Sequence, residues 1–358
     1  MSRVSTDRTR RDAITLDDVA RLAGVSPATA SRVLNRNERV GAAYRTKVLA
    51  AIEASGYRPN RLARSLRKQR SVAVGVVIPD ITNVHFAEMI RVIEEDAYEA
   101  GRNVLVCATA ESAEKQARYL SMLDEERVAG VILSPADPTG VEISMLVDHG
   151  IPLVTFDREV SDPRVDTVIA DNMNAARTAT TILIEAGHRD IAFISGRREV
   201  ATGAERLLGF KAAMREAGLK PRIADGQFQA SGGYNAVSKL MDSTNPPHAL
   251  VIANNVMAVG ALQALRERNL RIPDDVAVAA IDDPIWAQLL DPPLTTVAQS
   301  VDAMAHDAMR LLLERIEGFA GPPRRNLHAF ELHVRTSSGP RKPKRSKRPK
   351  TRPTDSTP

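Results

Sequence analysis

Residues 15–35 read TLDDVARLAGVSPATASRVLN. The stretch predicts two short helices joined by a tight turn. Thr15 is placed to cap the first, and Asp18, three residues on, completes a reciprocal capping box. Leu16, Val19, Ala20 and Ala23 give that helix one apolar face, and Gly24 ends it. Ser26 caps the second helix and Pro27 takes its first position, where a missing N–H costs nothing. Ala30, Val33 and Leu34 point back at the first helix. The opposite face carries Pro27, Ala28, Ser31, Arg32 and Asn35. Small residues there permit close approach to a surface, Ser and Thr can bond phosphates, and Arg can bond a guanine edge through two N–H groups. Spacing and charge alone leave two readings open: a helix laid in the major groove of DNA, or an ordinary helical hairpin on a protein surface.

The charge distribution bears on that choice. Residues 1–70 carry 16 Lys/Arg and 6 Asp/Glu, a net +10; residues 71–339 carry 25 and 37, a net −12; residues 340–358 carry 8 and 1, a net +7. A patterned basic head on an acidic body fits a head that meets a polyanion and a body that does not. Hydrophobic residues make up 43% of the 358, enough for a sizeable core and more than one domain. The single cysteine, Cys107, excludes a disulfide framework or a zinc cluster and fits a reducing compartment. The N-terminus is polar and basic, unlike a signal peptide, and no apolar run approaches the roughly 20 residues a membrane span needs. The expected location is the cytoplasm.

Residues 14–35, followed by YRTKVLAAIEASGYRPNRLARSLR at 44–67, resemble the DNA-binding head of the LacI/GalR family of bacterial regulators nearly continuously. The resemblance implies that Pro27, Ala28 and Arg32 face base edges and that Ser26, Thr29, Ser31 and Asn35 bond the backbone. It also implies that the segment opened by Pro59 and Asn60 forms a hinge helix pairing with its copy in the minor groove. Leu66 is then the wedge that opens a central base step, with Ala63 beside it. About nine residues hold no helix alone in water, so such a hinge needs its partner. The implied partners are a pseudo-palindromic double-stranded operator and a second copy of the chain; dimer is favoured over tetramer because no zipper-like tail follows. Gly41 stands where family members often carry Ser, so the third helix is expected to lack a side-chain cap.

From residue 72 the pattern changes. VAVGVVIPD (72–80), RNVLVCAT (102–109), AGVILSPA (129–136), IPLVTFDR (151–158) and DTVIADN (166–172) are apolar runs bounded by turn residues, the mark of buried parallel strands. Helical stretches such as 85–101 and 114–128 alternate with them. The alternation resumes at DIAFISG (190–196), ALVIANN (249–255) and VAVAAIDD (276–283), with 203–218 and 256–270 helical between them. The expected fold is therefore a small all-α helix-turn-helix head joined by a hinge to an α/β body of two parallel-sheet subdomains. Residues 72–338 resemble the periplasmic sugar-binding fold. The expected boundaries are a flexible arm at 1–13, the head at 14–59, hinge and linker at 60–70, an effector-binding and dimerising body at 71–338, and a disordered, Pro-rich basic tail at 339–358.

In that resemblance the ligand lies between the subdomains, at the strand ends, and short motifs there resemble the pentose-binding members. They supply Asn83, Phe86, Asp157, Arg158, Arg206, Phe228, Asn254, Asp282 and Gln299 as effector-binding residues. Carboxylates accept from paired hydroxyls, guanidinium and amide groups donate to ring oxygens, and aromatic faces pack on C–H surfaces. Trp286 is a further candidate face. Phe86 and Phe228 serve equally well as core. Two positions depart from the pattern: His85 stands where the family often has an aromatic, and Asn255 where it often has Asp.

No GxGxxG, Walker or GxSxG motif is present, and the seven histidines show no metal-ligand spacing. The reading is a non-enzymatic, cofactor-free repressor of carbohydrate-use genes whose operator affinity falls when a pentose or related sugar binds. Alternatives are a corepressor of another class, such as a nucleobase, or a sugar-binding fold without ligand control.

Overall fold

The computed structural model describes residues 14–34, 40–57 and 71–340. The chain forms two compact units, residues 1–70 and 71–358.

In the first unit, α1 (Leu16–Ala23), α2 (Pro27–Leu34) and α3 (Ala42–Ser55) enclose a core of Val19, Ala20, Ala23, Ala30, Val33, Val48 and Ala51. The small side chains let three short helices approach closely. The capping box at α1 is formed: the Asp18 N–H donates to Thr15 Oγ1 at 3.3 Å, and the Thr15 N–H donates to Asp18 Oδ2 at 3.0 Å. Gly24 takes φ +65, which ends α1 in a conformation glycine adopts without penalty. At α2 the Thr29 N–H donates to Ser26 Oγ at 3.2 Å. Gly41 precedes α3 without a side-chain cap.

The second unit holds two six-stranded sheets. The first comprises β1 (Ala73–Ile78), β2 (Asn103–Ala108), β3 (Gly130–Leu133), β4 (Leu153–Phe156), β5 (Asp166–Ala170) and β11 (Arg325–His328), ordered β11-β5-β4-β3-β1-β2 and wholly parallel. The second comprises β6 (Ile191–Ser195), β7 (Arg222–Asp225), β8 (Ala249–Ile252), β9 (Ala277–Ile281), β10 (Thr295–Gln299) and β12 (Phe330–His333), ordered β12-β10-β9-β8-β6-β7. Only β12 runs antiparallel. The helices are α4 (Val84–Glu99), α5 (Ala113–Glu125), α6 (Val141–Asp148), α7 (Asn172–Glu185), α8 (Ala201–Glu216), α9 (Ala230–Met241), α10 (Asn255–Glu267) and α11 (Val301–Ile316). β3, β4, β5, β6, β8 and β9 are buried along their whole length, which is why they read as unbroken apolar runs. Strands β7, β11 and β12 lie at sheet edges and mix polar with apolar residues, so they are not prefigured in that way; β2, the remaining edge strand, is expected to be buried from its apolar run but is largely exposed because it has a neighbour on one side only.

The chain crosses between the sheets three times, near 170–172, 299–301 and 328–330. Each subdomain is thus built from discontinuous segments. The carboxyl ends of the strands carry the turns that bound the cleft between the two sheets, the place where open α/β sheets put their ligands. The start of β5 is pinned by Asp166, whose buried carboxylate accepts from Arg315 at 2.8 and 2.9 Å and from Arg324 at 2.9 Å. Phe319 lies under both guanidinium groups.

Candidate functional site

The two units present separate candidate surfaces. On α2, Pro27, Ala28 and Arg32 are exposed, Ser26 is exposed at the cap, and Thr29 and Ser31 are half-buried. Ala30 and Val33 on the other side are buried. One helix therefore splits cleanly into a core edge and a polar edge bearing an exposed guanidinium. Asn35, Asn60, Ala63 and Leu66 lie outside the described residues, as do the arm at 1–13, the hinge expected at 60–70 and the tail from 341.

In the body, all nine residues expected at the effector site line one cavity of about 540 Å³. Asn83 and Phe86 follow β1, Asp157 and Arg158 follow β4, Arg206 lies on α8, and Phe228, Asn254 and Asp282 follow β7, β8 and β9. Gln299 ends β10. Six of the eight non-glycine residues with positive φ among the described residues line this same cavity: Ala110, Glu111, Asp157, Gln227, Phe228 and Asp282. Such conformations persist where the surroundings over-determine them, and they gather at functional sites.

Several polar groups are held rigidly with part of their bonding capacity left over. Gln299 Nε2 donates to Asp282 Oδ1 at 2.8 Å, and the Asn255 N–H donates to Asp282 Oδ2 at 3.2 Å. That orients a carboxylate with lone pairs to spare. Asn254 Oδ1 caps α10 by accepting from the Met257 N–H at 2.9 Å, which leaves its NH₂ group for another partner. Arg206 donates from Nε to Asn172 Oδ1 at 2.8 Å and from Nη1 to the Ala253 carbonyl at 2.7 Å, so Nη2 keeps both its donors. The neighbouring Glu205 is pushed up by burial, against the Asn172 amide that donates to it at 3.1 Å.

Arg158 differs from the expectation that it serves a ligand directly. Both ends of its fork donate to Glu111, at 2.7 and 2.8 Å, and Nη1 also donates to the Pro135 carbonyl at 3.0 Å. Trp286 does not line the cavity; it packs against the core of the second sheet. His85 does line it, edge-on to Phe86 at 5.0 Å between ring centres. Asn255 reaches across to the first subdomain, its Nδ2 donating to Asn83 Oδ1 at 3.1 Å.

The cavity also has walls the motifs did not mark: Asp80, Glu111, Arg197, Glu199, Thr202, Gln227 and Gln229. Arg197 is fixed by close packing of its backbone on α8. A Cβ on Gly203 would fall 1.9 Å from the Arg197 carbonyl oxygen, so only glycine fits there. Gly203 in the run GAERLLGF was the one available signal. In all, five carboxylates and three guanidinium groups bound the cavity, an excess of negative charge.

Both units have matches among known proteins. Residues 15–60 match the model for bacterial regulatory proteins of the lacI family, and residues 180–338 match a periplasmic binding protein-like domain. The chain is 34% identical over 306 residues to the HTH-type transcriptional repressor PurR of Pasteurella multocida, covering 84% of this chain and 92% of that protein. A putative ribose operon repressor from Burkholderia thailandensis superimposes with a TM-score of 0.68 at 34% identity, covering 74% of this chain and 99% of that one. The lac repressor dimer bound to operator and an anti-inducer gives a TM-score of 0.82 at 26% identity, covering 92% of this chain and all of the other.

Proposed function

This chain belongs to the LacI family of transcriptional repressors, and from that premise we propose that a small neutral polyol, a pentose or close relative, binds in its cleft and sets its affinity for DNA. The observation that carries the reading is the convergence of the nine residues, drawn from both sheets, on one polar cavity of about 540 Å³. Asp282 and Asp157 offer acceptors for paired hydroxyls. Asn254 and Arg206 offer donors, and Phe86 and Phe228 offer apolar faces for C–H groups. The putative ribose operon repressor among its structural relatives supports the same class.

DNA is held through the polar edge of α2, with Arg32, Pro27 and Ala28 toward base edges and Ser26, Thr29, Ser31 and Asn35 toward the backbone. The protein works as a homodimer on a pseudo-palindromic operator, in line with the dimeric lac repressor, with Asn60, Ala63 and Leu66 in the minor groove. A polyol that touches both sheets favours one angle between them, and it changes DNA affinity only by its differential affinity for the two arrangements. We take the effector to be an inducer.

The test is a melting-temperature screen of the full chain against pentoses, hexoses, sugar acids and nucleosides. A neutral pentose or hexose should raise the midpoint most. A shift confined to nucleosides or sugar acids overturns the polyol reading.

A further inference from the structure

Three guanidinium groups line the cleft, and the protein itself engages each of them. Arg206 is held by Asn172 and the Ala253 carbonyl. Arg158 and Arg197 come from opposite subdomains, after β4 and β6, and converge on a single carboxylate, that of Glu111. Arg158 grips it with two N–H groups at 2.7 and 2.8 Å. Arg197 Nη1 lies 3.5 Å from Glu111 Oε2 and donates to the Glu111 carbonyl at 3.4 Å. Glu111 itself sits at φ +60, a conformation unfavourable for a residue with a Cβ. Burial alone would push the Arg158 guanidinium down; the Glu111 carboxylate outweighs it and holds the group up.

We propose that Glu111 determines the specificity of the cleft. Its carboxylate fills the anion site that Arg158 and Arg197 would otherwise present, and so turns the cleft against sugar acids and sugar phosphates and toward neutral polyols. The proposal rests on the reading of the cleft as a polyol site. A phosphate or carboxylate entering the cavity must displace a two-pronged, largely buried ion pair and then face Asp80, Asp157, Glu199 and Asp282 as well. A hydroxyl displaces nothing, because it can bond to the spare lone pairs of the same carboxylates. Rejection of a competitor by a charge already in place is a common route to specificity. Removing that charge leaves two guanidinium groups, one from each side of the cleft, facing the vacated space.

Full-length wild type, Glu111→Gln and Glu111→Ser are titrated in phosphate-free buffer with D-ribose, D-ribose 5-phosphate and inorganic phosphate. Heat of binding and melting temperature are the readouts. Wild type should show no saturable binding of either phosphate. Glu111→Gln or Glu111→Ser should bind D-ribose 5-phosphate with a Kd at least tenfold below the highest concentration at which wild type shows none, and gain a melting shift from inorganic phosphate. Wild type that binds D-ribose 5-phosphate as tightly as D-ribose overturns the proposal, as does the absence of that gain in both variants. Loss of cooperative melting in both variants makes Glu111 a structural counter-ion and overturns it too. If wild type binds no neutral sugar yet the variants gain phosphate, Glu111 excludes anions as proposed and only the polyol reading falls.

Discussion

Asp282→Asn separates the charge of the Asp282 carboxylate from its shape. Asp282 is buried at φ +72, held by Gln299 Nε2 at 2.8 Å and the Asn255 N–H at 3.2 Å. Asparagine tolerates that backbone conformation, whereas alanine would add about 1–2 kcal/mol of strain and blur the result. The substitution keeps one acceptor oxygen for Gln299 and replaces the other, which accepts from the Asn255 N–H, with an NH₂ group, so that bond to the backbone is lost as well. A sugar placing two hydroxyls on this carboxylate loses one charge-assisted bond outright and meets a donor where it had an acceptor. Hydrogen bonds to charged groups contribute about 1.5–3 kcal/mol, so the loss should be about 3 kcal/mol, roughly a hundredfold in affinity. Calorimetric titration with the best neutral sugar from the screen reads this directly. Operator binding without sugar should be unchanged, and the response to sugar should move to a roughly hundredfold higher concentration. Asp282→Asn with wild-type sugar affinity would refute the assignment and leave Asp282 a structural link between β9 and the start of α10.

Arg32→Ala should weaken operator binding by about 1–3 kcal/mol and relax one base position per half-site, read by anisotropy on singly substituted sites. Equal loss on scrambled DNA would make Arg32 a phosphate contact. Asp166 supplies an acid-stability prediction. Burial opposes its charged form, but Arg315 and Arg324 outweigh burial and hold its carboxyl down at about 2, below the ordinary value of 3.8. A depressed folded value gives stability that is fully present above the unfolded value and is lost as pH falls from about 4 through 2, on the order of 2 kcal/mol. Asp166→Asn should therefore lower the melting temperature at pH 7, and the gap from wild type should close as the buffer approaches pH 2. A gap independent of pH would refute the ion-pair account.

The body was legible where burial is complete. A strand covered on both faces is mostly apolar, so β1, β3, β4, β5, β6, β8 and β9 stand out as apolar runs even with Thr155, Asp166, Thr167 and Ser195 buried among them, and the turns after β1, β4, β8 and β9 supply site residues. Edge strands β7, β11 and β12 keep solvated positions and carry no such mark. The head was legible through its caps, since Thr15, Asp18, Gly24 and Ser26 each satisfy a local backbone requirement. Pairing between distant residues was not. Glu111 and Arg158 lie 47 positions apart, and Glu111 and Arg197 lie 86 apart, with no periodicity to link them. Arg158 was recognised as a cleft residue, yet nothing local revealed that its fork is already filled. Trp286 shows the converse: an aromatic near a strand end in sequence packs into the core instead.

Control of DNA binding by the cleft ligand is open to one direct test. The direct measurement is the affinity of the full-length protein for an operator selected from random DNA, with and without saturating neutral sugar, at one fixed salt concentration. Coupling of about 1–3 kcal/mol corresponds to a roughly 5- to 150-fold change. Weaker binding by that factor is expected when sugar is present at a concentration that just saturates wild type, with little change in the Asp282→Asn variant at that same concentration. Identical operator affinity with and without a sugar that demonstrably fills the cleft would contradict it.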